Sequence, residues 1–122
     1  MTASGRDLPG ALRQGLTPQE LGHGVVYLAE DPVEAGASLT FPGVSFEAPW
    51  DALLAFVDRQ PLANWAHSCR YVLVNPDSGS LRSIEARFPP FGPEASIRWR
   101  VVYQARSVPD AVIGGPGVTK SD

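Results

Sequence analysis

A chain of 122 residues, 43% apolar and 19% charged, has room for one hydrophobic core but not two, and its composition excludes a disordered chain. A net charge of -3 argues against a dedicated nucleic-acid binder, which carries a strongly basic surface. The single cysteine, Cys69, excludes an internal disulfide framework, and with neither a signal-peptide core nor an apolar run near the roughly 20 residues of a membrane helix, a cytoplasmic protein without membrane contact is expected.

Gly and Pro, 12 of each, cut the chain into short elements separated by turns. Residues 1–17 read as a loosely ordered N-terminal arm, 18–105 as a single α+β domain, and 106–122 as a Gly/Pro-containing tail. Thr17-Pro18-Gln19-Glu20 has the form of a capping box, in which the Thr17 hydroxyl accepts from the third helical N–H and Glu20 reaches back. The helix it opens is short, because Gly22 and Gly24 follow. Val25 to Glu30, β-branched and aromatic, reads as a strand ended by Asp31-Pro32.

Pro42-Gly43 separates two β-prone runs with a type II turn signature, which predicts a strand corner rather than a tight hairpin. Pro49 to Gln60 reads as the main helix. Trp50, Leu53, Leu54 and Val57 form the i, i+3, i+4, i+7 stripe, Asp51 complements the helix dipole, and Pro61 blocks continuation. Beyond it, runs starting at Cys69 and at Leu81 flank Asn75-Pro76-Asp77-Ser78-Gly79 and predict an antiparallel hairpin. Residues 96–104 then alternate, with Ile97, Trp99, Val101 and Tyr103 on one side and Arg98, Arg100, Val102 and Gln104 on the other.

Together these elements predict an α+β fold: a twisted antiparallel β-sheet of five to six strands packed against one main helix over 49–60, with flexible termini. A helix followed by a meander is similar in architecture to cystatin-like folds, although no family motif accompanies the likeness.

Two candidate sites stand out. Strand alternation puts Trp65, His67, Cys69, Tyr71 and Leu73 on one side, about 7 Å between successive Cα atoms, so His67 could deprotonate the Cys69 thiol. Catalysis by Cys69 and His67, with Trp65, Tyr71 and Trp99 as pocket walls, is one reading; a buried cysteine packed as a small hydrophobe is the plainer one. No metal site or cofactor is expected, since His23, His67 and Cys69 show no two-His or two-Cys spacing.

The second site is a surface. Arg70, Arg87, Arg98 and Arg100 project from the opposite side of the late strands with Val72, Val74 and Val102 between them, a mixture suited to a protein partner or a homodimer. The basic charge lies in this half: residues 63–122 carry seven basic residues against five acids, whereas residues 1–62 carry three against eight. The favoured reading is therefore a small binding or regulatory module that recognises a partner protein or its own copy through an exposed Arg/Val sheet face. The alternative is a small enzyme or ligand-binding protein with a Cys69/His67 pocket between helix and sheet.

Overall fold

A computed structural model describes residues 8–63, 66–91, 97–113 and 118–120. Two short helices, α1 (Gly10–Gln14) and α2 (Pro18–His23), precede the strands β1 (Val25–Ala29), β2 (Ser38–Phe41), β3 (Val44–Glu47), β4 (Leu53–Asp58), β5 (Cys69–Val74), β6 (Leu81–Ala86), β7 (Trp99–Gln104) and β8 (Val118–Lys120). Five of them form an antiparallel sheet in the order β6-β5-β4-β1-β7, and β8 adds in parallel to β7. β2 and β3 make a separate two-stranded ribbon.

The expected main helix is a strand. Leu53–Asp58 is β4, paired along its length with β5 on one side and through Val25–Leu28 with β1 on the other. Its run of apolar residues between Pro49 and Pro61 satisfies a helical stripe, but so short a run is equally a strand buried on both faces. Pairing with two neighbours decides the matter. Asp51, expected at a helix dipole, instead accepts from the Ala35 N–H at 2.9 Å. With the helix goes the cystatin-like likeness.

Both faces of the sheet are covered. On one, Val25, Tyr27, Leu54, Phe56, Cys69, Tyr71, Leu73, Trp99 and Val101 form a core capped by the β2–β3 ribbon, whose Phe41 stacks on Tyr71 with ring centroids 4.4 Å apart. The ribbon is a tight hairpin in which Phe41 pairs with Val44, and Gly43 at φ 78° supplies the positive torsion of the turn. On the other face, Leu8, Leu12 and Leu16 pack against Val26, Val57, Val72, Val74 and Val102. Of residues 1–17, expected as a loose arm, 1–7 lie outside the described residues and 8–17 are a structural cover, held by the burial of three leucines spaced four apart. The expected loose tail likewise contributes the buried Val108 and Ile113 and the strand β8.

The 69–74/81–86 hairpin forms as its turn residues predict. Asn75 Oδ1 accepts from the N–H groups of Asp77 (2.9 Å) and Ser78 (3.2 Å), and Gly79 takes φ 80°. The Thr17 capping box forms too, with Glu20 N–H to Thr17 Oγ1 at 3.1 Å and Thr17 N–H to Glu20 Oε1 at 2.9 Å. Among the described residues, no helix is long and apolar enough to cross a membrane.

Candidate functional site

The end of β4, the start of β5 and the last residues of β6 converge on a group of polar side chains. At its base, His67 Nε2 lies 2.8 Å from Asp58 Oδ1, both side chains buried, and the same oxygen accepts from the Gln60 N–H at 3.0 Å. Burial pushes the Asp58 carboxyl up, while His67 and the Gln60 N–H oppose the shift. The His67 N–H donates to the Arg87 carbonyl at 2.8 Å, which ties the β4–β5 connection to the end of β6.

Beside this pair, a second set of charges binds α2 to the sheet. The Glu20 carboxylate, fully buried, accepts from Arg70 Nε at 3.0 Å, Arg70 Nη2 at 2.8 Å and Arg59 Nε at 2.8 Å. Arg59 then reaches outward to grip both Glu85 oxygens, at 2.7 and 2.9 Å, and donates to Ser68 Oγ at 3.0 Å. Burial works to raise the Glu20 carboxyl, but hydrogen bonds from Arg70, the Thr17 N–H and Arg59 together hold it below its ordinary range. Hydrogen bonding to Arg59 lowers Glu85 as well.

Cys69 is fully buried on the aromatic face of β5, opposite Asp58 across the β4–β5 ladder. Burial, reinforced by the Asp58 charge, pushes its thiol up to about 12, the opposite of what a nucleophile requires. Labelling with a soluble disulfide reagent at neutral pH is therefore expected to be slow in the native protein and rapid in denaturant. Fast native labelling would show that solvent reaches the thiol.

Tyr71 and Trp99 line the same core rather than a pocket. Burial pushes the Tyr71 phenol up, and its O–H donates to the Phe88 carbonyl at 3.1 Å. The Trp99 indole N–H has no hydrogen-bond partner among the described residues. Trp65 lies outside the described residues.

The expected Arg/Val face is not an exposed surface. Val72, Val74 and Val102 are buried beneath the N-terminal cover, and Arg70, only 8% exposed, is committed to Glu20. Strand order separates the remaining arginines. β5 and β7 are three strand spacings apart, about 14 Å, so Arg98 and Arg100 do not converge with Arg70. Arg98 is exposed near Asp31 and Glu34, at the rim of a separate concavity, whereas Arg100 is half-buried.

Arg87 is exposed and lines a cleft of about 450 Å³ with Gln60, Ala66, His67, Ser68, Glu85 and Ala86. No group of three or more metal-ligating side chains occurs among the described residues. No protein-family model, curated protein or solved structure matches this chain. Sequence reasoning found His67, Arg70 and Arg87, with Glu85 among the arginines, but missed Asp58, Arg59 and the part that Glu20 plays. The one local signal for these was the Glu20 capping box, which explains its bond to Thr17 but not its two arginines.

Proposed function

We propose that this chain is a partner-binding module whose recognition surface is the free edge of β6, to which an extended segment of a partner protein adds as a further strand. One observation carries this reading. Among the described residues β6 is the outermost strand of a sheet whose two faces are already covered, and Leu81, Arg82, Ser83 and Glu85 are exposed along it.

The direction of its backbone groups follows from the hairpin. The Asn75 N–H donates to the Ser80 carbonyl at 2.8 Å, making these two a hydrogen-bonded pair. Antiparallel pairs alternate, so Arg82, Ile84 and Ala86 bond inward to β5 while the N–H and C=O groups of Leu81, Ser83 and Glu85 face outward. No proline occurs in β6, and of its two exposed charges Glu85 is already paired with Arg59. Burial of Cys69 in a filled core weighs against the alternative of a catalytic pocket between helix and sheet.

The test uses Ser83→Pro. Because the Ser83 N–H faces outward, proline there leaves the β5–β6 backbone ladder its hydrogen bonds and removes one that an added strand needs, while Ser83→Ala controls for the loss of the Ser83 Oγ that accepts from Arg70 at 3.2 Å. Heptapeptides selected from a random library on the wild-type chain are expected to protect the Leu81, Ser83 and Glu85 amides from exchange. They should bind the variant at least about tenfold more weakly while its thermal midpoint stays within a few degrees. Selected peptides that bind both chains equally, or protect amides elsewhere, would overturn the reading.

A further inference from the structure

The cleft at the end of β6 has a one-sided hydrogen-bonding inventory. Gln60 Oε1 accepts from the Ser68 N–H at 3.2 Å, which fixes the amide and leaves its NH2, a double donor, without a partner among the described residues. Ser68 Oγ already accepts from Arg59 Nη1 at 3.0 Å, which turns its own O–H proton elsewhere, again as a donor. Arg87 makes no ion pair among the described residues and offers a guanidinium with no acceptor of its own. The acid in the lining, Glu85, has both oxygens held by Arg59, so its charge is balanced within the protein. His67, the remaining polar residue of the lining, is buried and engaged with Asp58, so the exposed part of the lining presents the donors of Gln60, Ser68 and Arg87, the last cationic, beside Ala66 and Ala86.

We infer that this cleft is a carboxylate-accepting subsite, and that the segment adding to β6 carries an acidic side chain that enters it between Gln60, Ser68 and Arg87. The inference deepens the edge-strand reading and rests on it for the direction of approach: Glu85 and Ala86 end β6, Arg87 follows directly, and all three line the cleft. A strand laid on this edge brings its side chains past the cleft mouth, and an acidic one meets a planar guanidinium suited to bidentate pairing.

The probes are three synthetic peptides titrated into the full chain labelled with nitrogen-15: acetyl-Thr-Val-Glu-Val-Thr-amide, its Gln counterpart, and the Gln peptide with a free C-terminal carboxylate. Backbone amides of Leu81, Ser83 and Glu85 report the edge, whereas the Gln60 side-chain NH2 and the Arg87 Nε–H report the cleft. The Glu peptide is expected to bind about five- to tenfold more tightly than the Gln peptide at low salt, to shift both sets of signals, and to lose its advantage on Arg87→Gln.

Equal binding of Glu and Gln peptides with the edge amides shifted overturns the subsite and leaves the edge reading standing. Tighter binding of the Glu peptide with only the cleft signals shifted keeps the subsite and overturns the edge reading. Recovery of the full advantage by the free C-terminal carboxylate overturns the side-chain source. Absence of shifts with any peptide to millimolar concentration overturns both.

Discussion

Glu20→Ala is expected to lower the free energy of unfolding by about 3–5 kcal/mol, because it leaves two arginines partly buried without their shared acid. Arg70 is the more exposed to this loss. Two of its bonds end on Glu20, and those that remain, Nη2 to the Gly15 carbonyl at 2.9 Å and Nη1 to Ser83 Oγ at 3.2 Å, are to neutral acceptors. Arg59 keeps Glu85 in a bidentate pair, but the carboxylate side is open to solvent, so that pair offsets only about 1 kcal/mol or less. Half of the capping box is lost as well: the Thr17 N–H donates to the same carboxylate, whereas the residue 20 N–H keeps Thr17 Oγ1, so the loss at the start of α2 adds about 0.5–1 kcal/mol. Chemical denaturation monitored by tryptophan fluorescence measures the change; a loss under about 1 kcal/mol would mean that water or rearrangement satisfies the arginines.

The same acid predicts a pH signature. With its folded pKa held below the unfolded value of 4.5, Glu20 contributes stability that is fully present above that value and is lost as pH falls through the folded pKa. The gap between wild type and Glu20→Ala is thus expected to be constant near neutrality and to narrow on acidification below pH 4.5. Widening of the gap in acid would reverse the assigned direction.

What could be read from the sequence divides along the range of the interactions involved. The Thr17 capping box, the Asn75–Gly79 turn and the alternation of Cys69, Tyr71 and Leu73 against Arg70, Val72 and Val74 are local, set by residues within a few positions of one another, and each takes the expected form. Glu20 meets its arginines across 39 and 50 residues of chain, and no short-range pattern encodes that. The Arg/Val face illustrates the consequence. The alternation holds, but whether that face meets solvent depends on Leu8, Leu12 and Leu16, from a segment in which a leucine recurs at every fourth position among glycines and small polar residues. At the candidate site, His67 was legible as a polar residue on an apolar strand, while its partner Asp58 lay inside the segment read as a helix.

Phe56→Ala separates the two readings of that segment. In a helix with the Trp50, Leu53, Leu54, Val57 stripe, Phe56 lies off the buried side, and its truncation would cost within about 0.5 kcal/mol, as at an ordinary surface position. In β4, Leu54 and Phe56 share one face and Ala55 and Val57 the other, and Phe56 is fully buried. Its ring sits amid four others: Tyr71 at 5.2 Å, Phe91 at 5.6 Å, Tyr27 at 5.8 Å and Trp99 at 6.4 Å between centroids. Removing it opens a cavity three of whose bounding rings, Tyr27, Tyr71 and Trp99, stand on strands that cannot collapse inward without breaking ladder hydrogen bonds, so the expected cost is about 3–5 kcal/mol. The same truncation should change the near-ultraviolet circular dichroism of the cluster, which depends on ring packing. A loss within 0.5 kcal/mol, about the surface value, with the dichroism unchanged would place Phe56 in solvent and restore the helix.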